Sequence, residues 1–152
     1  MLWPGIIFSI FLLAFALIDI RSRLIPNRLL LFAGMVTLCI LGSSSMKLLV
    51  LGVAGGLFGL AFCGVFYLLC PNKIGAGDVK LSGLIGLMLG VPLIFLALLL
   101  AILMGGIVCM ILVAFKRLKI KGSIPYAPFL CSGAIVSLWI GDWLINSYLG
   151  LF

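Results

Sequence analysis

Apolar residues run along this chain in stretches of membrane-spanning length, broken by short polar connections. Leu2 to Ile20 is the first stretch, and the connection from Arg21 to Arg28 carries Pro26 and Asn27, which read as a turn. The second runs roughly from Leu29 to Leu41 or a little beyond, ending at Gly42-Ser43-Ser44-Ser45. After Lys47 a third reaches about Cys70, and Pro71 to Gly77 is a loop rich in Pro, Asn and Gly. Leu81 to Phe115 exceeds one span of about 20 residues, and Gly90-Val91-Pro92 divides it into a short fourth helix and a fifth of ordinary length. Beyond the basic loop Lys116 to Lys121, a last stretch covers roughly Tyr126 to Ile145. The pattern predicts an all-α integral membrane protein of about six transmembrane helices, with residues 1–152 forming a single domain.

Composition and charge bear on that count. The chain is 66% hydrophobic and 9% charged, whereas a soluble domain is about half apolar and about one quarter charged, so water is not its main solvent. With the N-terminus outside, Arg21, Arg23, Arg28, Lys73, Lys80, Lys116, Arg117, Lys119 and Lys121 fall on the cytoplasmic side, against Lys47 alone outside. An even number of spans returns the C-terminus outside as well. A single helix over 81–115 would move the Lys116 cluster outside and break the bias. No basic residue precedes the first apolar stretch, which is the reverse of a secretory signal. The net charge of +7 then meets anionic lipid headgroups, at about 1 kcal/mol per basic residue near the surface. Lipid is an expected partner and nucleic acid is not. The expected location is the cytoplasmic (inner) membrane, crossed several times.

Two absences narrow the chemistry. There is no His and no Glu, which excludes Ser-His-Asp and Cys-His catalysis and histidine-based zinc sites. Acid–base work falls to Asp19, Asp78 or Asp142, and less readily to Lys, Tyr or Cys. The five cysteines form no CxxC pair and are expected to be small buried hydrophobes. Asp78 lies in Gly75-Ala76-Gly77-Asp78-Val79-Lys80, just before a helix, and Asp19 lies at the end of the first span. Both are expected at the cytoplasmic edge, on different helices. Such a pair suits an aspartyl protease: one ionised carboxylate takes a proton from water while the other, protonated, hydrogen-bonds the scissile carbonyl. Mutual repulsion keeps one proton on the pair. Gly75 and Gly77 are expected to let the backbone turn sharply and approach a substrate strand, and a helix starting near Asp78 favours its ionised form. Lys80 does not face Asp78 on a regular helix, and it calls for an outside partner, a headgroup phosphate or an acidic substrate residue. Asp142, beside Trp143 at the outer end of the last helix, is expected to be interfacial and not catalytic.

Other readings fit parts of this pattern. Either aspartate could be solvated or paired with an arginine, or Asp19 could relay protons in an assembly factor or transporter subunit. A transporter should show acids nearer mid-helix and repeat symmetry, and neither is seen. Metal-dependent headgroup transfer needs more oxygen ligands than three scattered aspartates supply. A Ser82–Lys80 catalytic pair would diverge on a helix. No metal or cofactor is expected.

The motifs taken together resemble a known family. An aspartate followed by Ile25-Pro26-Asn27, then Gly75-Ala76-Gly77-Asp78-Val79-Lys80, then Ile124-Pro125-Tyr126-Ala127-Pro128-Phe129-Leu130 is similar to the type IV prepilin peptidases, within the Gly-x-Gly-Asp group of membrane aspartyl proteases. The resemblance covers most of the chain, in order. It implies Asp19 and Asp78 as the catalytic pair, with Gly75, Gly77, Lys80, Pro26, Asn27, Pro125, Tyr126 and Pro128 as motif residues. It also implies prepilin or pseudopilin substrates, cut between a short basic leader and a hydrophobic helix. Membrane anchoring rather than charge attraction is expected to deliver them, because a basic leader suits neither basic cluster. The likeness is to the short form, used in tight-adherence or related pilus systems, without the inserted CxxC-bearing domain, and methylation of the new N-terminus is not part of the expectation. The presenilin-like branch fits poorly, since Ile18 stands where that branch has Tyr before its first aspartate.

Overall fold

A computed structural model describes residues 2–22, 25–69, 75–115 and 126–149, and at 2, 142, 145, 146, 148 and 149 it describes the backbone alone. Within them the chain forms six helices: α1 (Leu2–Ser22), α2 (Asn27–Ser44), α3 (Met46–Leu69), α4 (Ala76–Leu89), α5 (Val91–Ala114) and α6 (Ala127–Leu149). Helices α1, α2, α3 and α5 are long and apolar enough to cross a membrane, α4 has 14 residues, and α6 is apolar over Ala127–Gly141. The expected all-α membrane architecture is the one observed. Lys73, Cys70, Arg23 and the Lys116–Lys121 cluster lie outside the described residues.

The expected break at Gly90 is present and has a backbone cause. Gly90 has φ 75°, a left-handed value that glycine adopts without a Cβ penalty. Pro92 follows in the first turn of α5, where no intrahelical N–H is needed. One residue thus reverses the chain between two packed helices.

Neighbouring helices alternate in direction. Ser137 Oγ on α6 donates to the Leu93 carbonyl near the start of α5, at 2.7 Å. Trp139 Nε1 on α6 donates to Ser9 Oγ near the start of α1, at 3.2 Å. The C-terminal end of α1 and the N-terminal ends of α2, α4 and α6 therefore gather at one end of the bundle. Helix α4 packs against α2, α3, α5 and α6, while α6 packs against α1, α4 and α5. Phe8, Leu12 and Phe15 of α1 meet Leu81 and Ile85 of α4 and Leu130 of α6 in one core. Residues 81–86 of α4 are buried without interruption, so this short helix is the centre of the bundle.

The α3–α4 contact is made through glycine. Gly52, Gly55, Gly56 and Gly59 of α3 face α4, and a Cβ at Gly55 would collide with the Gly86 carbonyl. Ser82 Oγ lies 2.9 Å from the Gly59 carbonyl across the seam and 2.8 Å from the Val79 carbonyl on its own helix, sharing one proton between them. Lipid tails are as apolar as leucine, so helices in a membrane associate through close packing and polar contacts, which small residues permit.

Candidate active site

Helix α4 starts earlier than the sequence pattern predicts, and this changes how its glycines are read. The carbonyl of Gly75 accepts the N–H groups of Asp78 and Val79, at 3.0 and 3.4 Å, so α4 begins at Ala76 and Asp78 sits in its first turn. Asp78 Oδ2 in return accepts the Gly75 N–H at 3.1 Å, satisfying a backbone donor at the helix start. Gly75 has φ −79° and ψ 146°, extended values open to any residue. The expected sharp glycine turn at Gly75 and Gly77 is therefore absent. What these glycines provide is space: a Cβ at Gly75 would sit 3.4 Å from Asp78 Oδ2, and one at Gly77 would sit 3.4 Å from the Ile25 side chain.

Asp19 comes to the same end of the bundle on α1. Both carboxylates are buried, Asp19 at 6% and Asp78 at 8% exposure. Two of the three acids in the chain are thus withdrawn from solvent on separate helices, at one end of the bundle. The charge of Asp19 acts on Asp78, and the charges of both act on Cys131 of α6. Helix α6 packs against both α1 and α4 and so bridges the two aspartate-bearing helices.

The start of α6 completes the cluster. Tyr126 is half-buried, lies within electrostatic range of Asp78, and accepts the N–H groups of Phe129 and Leu130 on its carbonyl, each at 3.1 Å. Pro128 occupies the first turn, where a missing N–H costs no helical bond. Pro125 lies outside the described residues.

The segment at Pro26 and Asn27 joins the same end. Pro26 precedes α2, and its carbonyl accepts the N–H groups of Leu29 and Leu30 at 3.1 and 3.2 Å. Lys80 Nζ donates to Asn27 Oδ1 at 2.9 Å. Lys80 therefore has a partner within the chain, where the sequence reading sought one outside it. Two sequence motifs 53 positions apart meet through this bond. Ser82 points into the α3 seam while Lys80 is exposed, so that pair diverges as expected. Among the described residues, no group of three or more His, Cys, Asp or Glu side chains is placed to hold a metal ion.

The expectation that the cysteines are buried holds only in part. Cys63 and Cys131 are buried near the aspartates, but Cys39 and Cys109 are exposed on the bundle surface, and all four are free thiols. The glycine seam was not anticipated, although Gly52–Gly56 and Gly55–Gly59 each carry the Gly-x-x-x-Gly spacing that signals close helix contact. The Asp142 side chain lies outside the described residues.

Comparisons with known proteins bear on the family of the chain. The chain is similar to prepilin leader peptidase/N-methyltransferase of Bacillus subtilis (strain 168), 30% identical over 97% of this chain and 60% of the relative. Similar proteins of the same name occur in Legionella pneumophila, 31% identical over 91% of the chain and 50% of the relative, and in Escherichia coli (strain K12), 29% identical over 88% and 61%. The chain spans about half the length of the curated relatives it matches. No solved structure matches it. The model of the type IV leader peptidase family matches residues 6–110, which carry Asp19, Pro26, Asn27, Gly75, Gly77, Asp78 and Lys80. With that match across more than half of its residues, the chain belongs to the type IV leader peptidase family.

Proposed function

We propose that this chain is an aspartic endopeptidase that removes the leader peptide of a prepilin or pseudopilin at the cytoplasmic face of the inner membrane, with both its termini outside. The observation that carries this reading is the pair of buried carboxylates, Asp19 and Asp78, on separate helices at one end of the bundle. In this reading the pair holds one proton. The ionised carboxylate takes a proton from water as that water attacks the scissile carbonyl carbon, and the protonated carboxyl gives its proton to the carbonyl oxygen. The tetrahedral intermediate collapses when the peptide C–N bond breaks: the departing nitrogen takes a proton from the pair, and one hydroxyl of the intermediate returns a proton to it, restoring the single shared proton. The product is a free carboxylate on the leader and a new amine on the mature chain.

Supporting residues have distinct tasks. The Gly75 N–H fixes the Asp78 carboxylate, and α6 packs against both aspartate-bearing helices. Gly75 and Gly77 keep side chains away from the Asp78 carboxylate and from Ile25, leaving the site open to a substrate backbone. Tyr126 and Pro128 shape the wall opposite.

The test is co-expression with candidate prepilins from the same genome, scored by mass, with Asp78→Asn as the control. A leader-sized loss with wild type alone supports the proposal and names the substrate. Cleavage that survives Asp78→Asn or Asp19→Asn, with insertion verified, removes that residue from the pair. No cleavage of any candidate by inserted wild type overturns the substrate assignment.

A further inference from the structure

A groove of about 700 Å³ opens between α2, α3 and α4, on the side of α4 turned away from Asp78. It exists because α3 and α4 close up on their glycines while α2 stands further off. Gly34, Gly56 and Gly83 line it, Met35 and Leu57 stand on facing walls, and Asn27 and Lys80 are its polar residues. Along α2 the lining runs from Asn27 to Leu38, about 17 Å at 1.5 Å per residue. That is over half of a hydrocarbon core about 30 Å thick.

We propose that this groove seats the apolar helix of the substrate, with its end at Asn27 and Lys80; the inference rests on the endopeptidase reading. A peptide lying in hydrocarbon must satisfy its own backbone, so an occupant reaching the protein from within the membrane is helical. Gly34 on the α2 wall, where a Cβ would meet only Leu84 at 3.9 Å, lets a helix backbone come close, which an acyl chain has no use for. The lysine ammonium has three N–H donors, Asn27 Oδ1 accepts one, and no carboxylate lines the groove. The cut precedes the apolar helix, so the end seated there is its N-terminal turn, where an acidic side chain would complement the ammonium.

The groove and the candidate site share the N-terminal end of α4. Lys80 and Asp78 are two positions apart on α4, about 200° around the helix, so one faces the groove and the other the core. A chain leaving the groove reaches Asp78 by crossing the first turn of α4. Gly75, Ala76 and Gly77 at that end of α4 carry no side chain larger than a methyl group. A helix about 10 Å across is passed by roughly three extended residues, which sets the distance from the end of the seated helix to the bond that is cut.

The test uses a photo-crosslinking residue at Met35 or Leu57 in the groove, or at Ile107 on the outward face of α5. The probe is a synthetic peptide with a short basic leader and about 20 apolar residues, in phospholipid vesicles, against the same leader without the apolar segment. Peptide adducts at 35 and 57 but not at 107, lost with the truncated peptide, are expected. Gly34→Leu should lower capture about tenfold, since a Cβ there has ordinary room against Leu84 at 3.9 Å and the fold tolerates it. Adducts only to phospholipid or to a second copy of this chain, or equal peptide adducts at 107, overturn the proposal. Capture does not depend on turnover: capture without cleavage of co-expressed prepilins retains the groove as a helix seat and sinks only the endopeptidase reading.

Discussion

Helices α4 and α5 are joined by Gly90 alone and meet opposite surroundings. Helix α5 has 24 residues, is the most apolar of the candidate spans, and exposes Ile102, Leu103, Ile107, Met110 and Ile111 along its length. Helix α4 has 14 residues, carries Asp78, Lys80, Ser82 and three glycines, and is buried from Leu81 to Gly86. In water the more apolar helix would be the inner one. In lipid the hydrocarbon accepts the greasy helix, and the interior goes to residues that pack backbones closely or bond to one another. The intramembrane acid follows the same logic, because it is tolerated only where the protein surrounds it.

The strongest way to break this contrast is to give both helices the same substitution. Gly86→Leu places a Cβ against the Gly55 backbone, whereas a Cβ at Gly106 on α5 meets nothing within 4 Å. Gly86→Leu is expected to destabilise the bundle by about 3 kcal/mol or more and to abolish accumulation of folded protein in the membrane. Gly106→Leu should accumulate as wild type does. Equal yields of protease-resistant protein would mean that the seam is not what holds α4 in place.

Chemistry separates the two helices next. Asp78→Asn should insert normally and lower cleavage by about 10²- to 10⁴-fold, the range lost with a general acid–base group. Asp19→Asn should match it, which initial rates on the identified prepilin would show. Lys80→Met removes the bond to Asn27. It is expected to raise KM about three- to tenfold with kcat within about twofold, the pattern of lost uniform binding. A change confined to kcat would place Lys80 in the chemical step instead. The smallest effect is expected from Ser82→Ala, which loses the contact with Gly59. Interhelical hydrogen bonds in membranes contribute about 1 kcal/mol, so the thermal inactivation midpoint should fall slightly while cleavage persists.

Much of the fold was legible because the membrane imposes simple rules. Six apolar runs with short polar breaks anticipated six helices, and the Gly90-Val91-Pro92 break was identifiable because glycine and proline each restrict the backbone in a known way. The starts of helices were less legible. Gly75 and Gly77 are poor helix signals, yet hydrogen bonds to the Gly75 carbonyl draw Ala76 and Gly77 into α4. The motif residues could be picked out one by one, but not the Lys80–Asn27 bond, because it joins positions 53 residues apart. Likewise, nothing local distinguishes exposed Cys39 from buried Cys63, since both lie in apolar runs.

By itself the sequence determined that this protein lives in lipid, how many helices it makes, and that any acid–base chemistry falls chiefly to three aspartates. Those follow from composition and run length, which act residue by residue through the cost of burying polar groups in hydrocarbon. Only the tertiary structure decided that α4 is the centre, that glycines close its seam with α3, and that a groove ending at Lys80 opens beside it. Hydropathy has no direction, whereas packing does: which face of a helix meets a neighbour depends on shapes supplied by distant parts of the chain.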